Sequence, residues 1–593
     1  MQIRLKIIIG IIFVFGILII GRLFELQVLH HNFLGSAVYV EKKTESLVPA
    51  KRGKIFIKDD GKLYPIAINE NTYNLIISPA EIIRSEISPD EWLDKISPYL
   101  DLGLEKSPQQ QGQKIIVAEE NQKNQKLQEV LRKVYQKKDF YEILKKRISA
   151  EEMREIENLK LAGVNFEVVP QRYYPEGEIF SQLVGFVSLP KNCDSSQCSQ
   201  ENGQYGLEEF FNQELSGQSG LVSNSSSEDS LSSNQNVIKE VEDGIDLVLT
   251  VDRSIQFFIC KTLEGALKEY QASAGTIIVL DSKTSAVLAF CNKPDFNPNK
   301  YYDVDNVSLF KNSGIDSVYE PGSIFKVITL ASTFDAGKIT PQTTYYDYGY
   351  VNLDGKTIRN ANDRSYGTQT MSVVLEKSIN TGAIFAAQSL GRSYFRNYLK
   401  KFGFGGLTGI ELIGEAAGNI DNLDKKQEIY LATASFGQGI SVTPIQMINA
   451  IAAIANQGKL MKPYVVDSFI KNGEIIHHQP EFIRQVVSPS TANTINSIMV
   501  STCEGGYGQR AKVKNYYVAG KTGTAQVPRS NGGYSDEVIH SFVGFAPATD
   551  PKFVVLVKLD NPQKEKFADS TAAPIFSLVT EHILNYYNIP PDK

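Results

Sequence analysis

Ser323 and Lys326 stand three residues apart in the stretch Glu320-Pro321-Gly322-Ser323-Ile324-Phe325-Lys326. A serine hydroxyl is a weak nucleophile at neutral pH and needs a base within hydrogen-bond reach. A lysine serves as that base when burial and a second nearby cation favour its neutral form. Residues three apart on a helix share a face, and a helix amino terminus offers backbone N–H groups to an oxyanion. Types and spacing therefore point to acyl transfer through a serine ester. Spacing alone is weak evidence. Ser308-Leu309-Phe310-Lys311 repeats it in an Asp/Asn-rich loop with no helix behind it.

Two further motifs follow in order: Ser378-Ile379-Asn380, then Lys521-Thr522-Gly523-Thr524. Ser-x-Asn also occurs at Ser232-Ser233-Asn234, but within a Ser-rich stretch that precedes the helix, and Lys-Thr-Gly occurs once. The ordered triple resembles the signature of penicillin-binding proteins and class A β-lactamases. Neither Gly-x-Ser-x-Gly nor His-Glu-x-x-His is present, so α/β-hydrolase and zinc-protease readings lack their residues. His540 flanks a strand and reads as structural. His477 and His478 are adjacent and point apart if extended, which disfavours metal binding. No metal or cofactor is expected.

The elements that must position these residues can be read around them. The Pro-Gly pair breaks any preceding helix, so a helix is expected over residues 323–334, apolar on nearly every face and hence buried, with Gly337 to end it. Residues 275–280 and 286–290 read as two strands joined by a polar turn, and strands return over 516–526, 541–546 and 553–559. A closing amphipathic helix carries Phe576, Val579, Ile583 and Leu584. Strands at both ends with helices between them predict one antiparallel sheet covered by helices, an α+β domain from about residue 246 to 593.

A chain of 593 residues with 42% hydrophobic content suffices for two or three cores. A net charge of −6 gives no basic field for nucleic acid. Residues 1–6 read as a cytoplasmic tail, 7–24 as a single uncleaved transmembrane helix with Lys6 and Arg22 snorkelling, and 25–44 as a juxtamembrane linker. The bulk of the protein is then extracytoplasmic. Residues 45–215 read as a mixed domain, with a strand over 73–77 and solvated helices over 113–160 carrying Val130, Leu131, Val134, Phe140 and Leu144. Residues 216–245 are rich in Ser, Asn, Gly and acidic side chains and read as a mobile linker. The five cysteines leave at least one thiol unpaired; Cys193 and Cys198 could pair or stay free.

The anchor plus the three motifs resembles the class B penicillin-binding proteins, monofunctional D,D-transpeptidases of bacterial cell-wall synthesis. Phe436-Gly437-Gln438-Gly439, Ala455-Asn456-Gln457-Gly458, Arg172-Tyr173-Tyr174-Pro175 and Gly206-Leu207-Glu208 extend the likeness. One departure is that Arg52-Gly53-Lys54-Ile55-Phe56 continues as Ile57-Lys58-Asp59-Asp60-Gly61, without the family's usual Asp. The Ser-x-Asn form followed by Thr381-Gly382 is more similar to the septal branch than to the elongation branch.

The resemblance implies that residues 45–215 form a pedestal and that Ser323 attacks the penultimate D-Ala of a stem peptide with Lys326 as base. Backbone N–H groups of Ser323 and Thr524 would hold the oxyanion. Ser378 and Asn380 would relay the proton and bind the peptide amide. Lys521, Thr522 and Thr524 would receive the terminal carboxylate, and Gly523 would let the substrate backbone approach. It also implies β-lactams as ligands, and a membrane-embedded glycan polymerase and division proteins as partners. Two other readings of the same fold stay open: a carboxypeptidase or β-lactamase, for which Glu411 and Glu415 are the candidate deacylating bases, and a β-lactam sensor.

Overall fold

The computed structural model describes residues 2–25, 44–59, 61–100, 128–135, 141–188, 201–225, 234–529 and 532–593. These residues divide into two compact units, Met1–Lys51 with Ser216–Gly244, and Arg52–Leu215 with Ile245–Lys593. Cys193 and Cys198 lie outside the described residues.

The first unit begins with a helix over Gln2–Phe24. Phe13, Phe15, Leu18 and Ile20 along it are exposed. The helix expected at residues 7–24 is therefore present, whereas among the described residues no helix is long and apolar enough to cross a membrane. The same unit holds a three-stranded antiparallel sheet in which Gly220–Ser225 pairs on one side with Thr44–Val48 and on the other with Asn234–Lys239. The stretch expected as a mobile linker thus contributes two strands. Backbone pairing needs no apolar core of its own, and Val237 and Ile238, both exposed, are β-formers within the outer strand.

In the second unit, five strands form one antiparallel sheet in the order Val287–Lys293, Ala274–Asp281, Phe553–Asp560, Tyr534–Ala546, Ala519–Pro528. Each strand is apolar at successive positions because both faces are covered. Ile277, Val279, Val555 and Val557 pack with Ile259, Leu263, Phe576 and Val579 from the helices Arg253–Tyr270 and Ala572–Tyr586. Ile278, Leu280, Val554 and Leu556 face the other way, into the cluster that contains Ile328, Ile445 and Ile495. The α+β expectation matches this arrangement. A disulfide between Cys260 and Cys291 fastens the first helix to its strand, and Cys503 is a buried free thiol.

A second sheet crosses the boundary expected between the pedestal and the transpeptidase part. Its order is Glu474–His477, Val466–Lys471, Asp246–Asp252, Ile55–Asp59, Lys62–Ile77, Glu142–Ile148, with Val164–Tyr173 also on Lys62–Ile77. The pairing of Asp246–Asp252 with Ile55–Asp59 is parallel. Nearby, Glu208 is fully buried between Arg52 and Arg172, at 2.7 Å from each, and their charges keep its carboxyl below the usual range despite burial. Leu144, expected on a helix, lies in the strand Glu142–Ile148. Pairing with Lys62–Ile77 overrides the helical character of its Lys-rich surroundings.

Candidate active site

The nucleophile segment does not begin as an α-helix. Gly322–Phe325 is a 3-10 turn, and the α-helix runs over Lys326–Asp335. The tighter winding serves the pair, because residues three apart eclipse one another in a 3-10 turn. Ser323 is half-buried at the mouth while Lys326 is fully buried below it. Gly322 has φ +59° and donates its N–H to Gly437 O at 3.0 Å. A Cβ on Gly437 would collide with the Gly322 backbone, so the Phe436–Gly439 run serves as the back wall of the nucleophile turn. Glu320 ties that turn down further, accepting from Gly439 N at 2.9 Å and from Tyr534 Oη at 3.0 Å.

Ser378 sits in the break between the helices Met371–Glu376 and Asn380–Leu390, with φ +54°. A non-glycine residue adopts that conformation only when its surroundings impose it. The break aims three acceptors at one point. Lys326 Nζ donates to Ser378 O at 2.6 Å, to Asn380 Oδ1 at 2.8 Å and to Ser378 Oγ at 3.2 Å.

Lys521 reaches the same hydroxyl from the sheet. It lies on the edge strand Ala519–Pro528, fully buried, and donates to Ser378 Oγ at 3.0 Å and to Thr522 O at 3.1 Å. Burial, and next the neighbouring Lys521 charge, drive Lys326 well below the ordinary lysine value. Burial likewise lowers Lys521 to about 7. A serine, two buried lysines of weakened basicity and a bridging hydroxyl supply a nucleophile, a base and a proton relay in one cluster.

The penicillin binding protein transpeptidase domain matches residues 275–581, more than half of the chain, and the penicillin-binding protein dimerisation domain matches residues 47–249. The chain belongs to the penicillin-binding protein transpeptidase family. It is similar to stage V sporulation protein D of Bacillus subtilis, 33% identical over 76% of this chain and 69% of the relative. It is also similar to the peptidoglycan D,D-transpeptidase FtsI of Buchnera aphidicola, 27% identical over 99% of this chain and 96% of that one. The crystal structure of penicillin binding protein 2X from Streptococcus thermophilus shares the fold, with a TM-score of 0.73 at 23% identity over 91% of this chain and 80% of that one. This penicillin-binding protein is a serine-type D,D-transpeptidase of cell-wall synthesis and a β-lactam target.

Within this penicillin-binding protein the structure brings Ser323, Lys326, Ser378, Asn380 and Lys521 into one cluster, with Thr522 beside it. Thr524 Oγ1 accepts from Ala568 N at 3.2 Å, which leaves its own hydrogen available to a ligand. Gly523 is needed for a different reason from the one its motif suggests. A Cβ there would stand 2.5 Å from Ser541 Oγ and 3.0 Å from both Pro321 O and Ile324 Cγ2, so the missing side chain makes room for the nucleophile turn itself.

The decoy pair is not a site. Lys311 turns to Asp316, at 4.0 Å, on the surface. Glu411 accepts from Val465 N and Val466 N, both at 2.9 Å, and Glu415 accepts from Thr408 N and Gly409 N at 2.7 and 3.0 Å. Both carboxylates are thus occupied in shaping loops. His540 is buried, bonded through Nδ1 to Thr571 Oγ1 at 2.9 Å, and burial lowers it to about 4. Sequence reasoning missed Glu320, Tyr534, Asp347 and Asn360 as parts of the site's support. Glu320 adjoins the motif, but its partners come from distant segments and no local signal marks them.

Proposed function

We propose that this transpeptidase forms its acyl-enzyme on Ser323 and transfers the acyl group to the amine of a second stem peptide. Neutral Lys326 takes the Ser323 hydroxyl proton as Oγ attacks the carbonyl of the penultimate D-Ala. The N–H groups of Ser323 and Thr524 receive the oxyanion. The C–N bond breaks, and the proton returns through Lys326 and Ser378 to the departing D-Ala nitrogen. Lys521, Thr522 and Thr524 hold the terminal carboxylate. The strand Ala519–Pro528 pairs with only one neighbour, which leaves its other edge for an extended peptide. An incoming amine then loses its proton to the same relay and displaces Ser323.

The observation that carries this reading is the single Ser378 hydroxyl within hydrogen-bond reach of both buried lysines. With Glu411 and Glu415 held by backbone amides, no base stands ready for hydrolysis among the carboxylates considered for it. Treatment of the full-length protein with labelled penicillin, followed by peptide mass spectrometry, tests the assignment. The adduct is expected on Ser323, lost in Lys326→Ala and retained in Lys311→Ala. Label on Ser308 would overturn it.

We further propose septal wall synthesis from a single-pass anchor at residues 7–24, beside a membrane-embedded glycan polymerase. Support comes from the Ser-x-Asn-Thr-Gly form at residues 378–382 and from the exposed apolar side chains of Gln2–Phe24, which water would not favour. Replacing residues 1–28 by an unrelated transmembrane helix is expected to weaken co-purification with the polymerase while leaving penicillin acylation intact. Release of the protein by a salt wash, or glycan polymerisation by the purified protein alone, would count against it.

A further inference from the structure

A buried carboxylate that no motif contains stands behind the second catalytic motif. Asp347 ends the strand Thr344–Asp347 and is fully buried, with no cation paired to it among the described residues. Its charge is met by donors alone. Oδ1 accepts from Thr381 Oγ1 at 2.6 Å, from Gly349 N at 2.9 Å and from Asn360 Nδ2 at 3.0 Å. Oδ2 accepts from Tyr366 N at 2.8 Å and from Asn360 Nδ2 at 2.9 Å.

Two of those donors lead directly to the catalytic break. Thr381 follows Asn380 in the first turn of the helix Asn380–Leu390. Asn360 accepts from Thr381 N through Oδ1 at 3.1 Å, so both polar groups of Thr381 are committed to the Asp347–Asn360 pair. The carbonyl of Arg359, beside Asn360, accepts from Asn380 Nδ2 at 3.0 Å. That last bond fixes which way the Asn380 amide points. With Nδ2 on Arg359, its oxygen must face Lys326, and a flipped amide would present N–H groups to an amine that also donates.

We propose that Asp347 is a positioning residue of the transpeptidase site, holding Ser378 and Asn380 against Lys326 through Asn360 and Thr381. The proposal rests on the reading of Ser323 and Lys326 as nucleophile and base. A hub of five donors on one buried carboxylate defines a single loop arrangement, since each donor released would be left buried and unpaired. The strained φ of Ser378 needs such an external hold, because nothing in its own backbone favours it.

The test uses Thr381→Val, Thr381→Ser and Asp347→Asn in the full-length protein, reading penicillin acylation against pH together with the thermal midpoint. Thr381→Val keeps the β-branched shape and removes only the hydroxyl link. Its maximal acylation rate is expected to fall about 10-fold to 100-fold, as for the loss of one hydrogen bond to a charged group. Thr381→Ser keeps the hydroxyl and is expected to restore the rate to within about 2-fold of the parent. Lys326 is faced by Ser378 and Asn380 from the loop and by Lys521 from the edge strand, which is the charged group that acts on it. Loosening the loop withdraws acceptors that favour the ammonium, so the acid limb of the profile should move to lower pH in Thr381→Val and in any folded Asp347→Asn.

Loss of thermal stability with an unmoved limb and unchanged rate per folded molecule would overturn the proposal, as would Thr381→Ser as slow as Thr381→Val. Ser323→Ala in the same assay separates the two readings. If it still acylates, the site assignment fails; if it is dead while Thr381→Val behaves as the parent, only the positioning role fails.

Discussion

Lys326 and Lys521 converge on one acceptor, with Ser378 Oγ lying 3.2 Å from the first Nζ and 3.0 Å from the second. Two ammonium groups cannot both stay charged cheaply around one hydroxyl in a dry site, so one proton leaves at a lower pH than either lysine would show alone. Acylation needs Lys326 neutral and should rise with pH along the limb that reports its loss of a proton. Lys521→Ala removes the like charge and so raises the Lys326 value. The acid limb of penicillin acylation is expected to move to higher pH, whatever happens to its height. An unmoved limb would assign the whole effect to burial.

The same burial has a cost in stability. Lys521 is held at about 7 when folded and regains its ordinary, higher value when the chain unfolds. Between those values the unfolded state binds more protons, so stability rises with pH across that window and is lost as pH falls toward the folded value. Lys521→Met is therefore expected to raise the unfolding midpoint at neutral pH by about 2–4 °C. The gain should shrink as pH climbs toward the ordinary lysine value, while acylation is abolished. Thermal scans at neutral and alkaline pH check this.

Gly523→Ala separates two roles for that glycine. If the residue served substrate approach alone, the added methyl would weaken binding and leave the saturated acylation rate untouched. Because the methyl would meet Pro321 O and Ile324, the nucleophile turn must shift. The saturated rate is expected to fall at least about 10-fold, with destabilisation of about 1–3 kcal/mol from overpacking. Single-turnover kinetics at several penicillin concentrations distinguish the outcomes.

Glu411→Gln and Glu415→Gln should leave the lifetime of the penicillin adduct unchanged, because both carboxylates are engaged by loop amides rather than poised over Ser323. Glu411→Gln is expected to lose about 1–3 kcal/mol of stability through its two buried amide partners. A markedly longer-lived adduct in either variant would revive a hydrolytic role.

The catalytic residues were legible because their chemistry is local: Ser323 with Lys326, Ser378 with Asn380, and Lys521 to Thr524 each sit within a few positions of one another. The five-stranded sheet was legible as well, since strands such as Ala274–Asp281 and Phe553–Asp560 are apolar runs of strand length bounded by turns. What escaped depends on partners far along the chain. Asp347 reads as one acid in a Tyr-rich stretch until Thr381 and Asn360 are placed against it. The strands over 220–225 and 234–239 lack an apolar pattern and are specified by pairing with Thr44–Val48. The role of Gly523 was misread for the same reason, since the obstacle to a side chain comes from a turn about two hundred residues earlier.

The parallel pairing of Asp246–Asp252 with Ile55–Asp59 makes a mechanical splice. Bonds such as Leu247 N to Lys54 O, at 2.8–2.9 Å like their neighbours, lie across the join. A force drawn along these strands loads the bonds in shear, where several must break together, whereas a force across them would open one bond at a time. Growth of a wall under turgor would exert such forces on an enzyme attached both to nascent strands and to its neighbours. The catalytic sheet and the segment that precedes it should therefore move as one body under tension, and yield first at the loops that surround the splice.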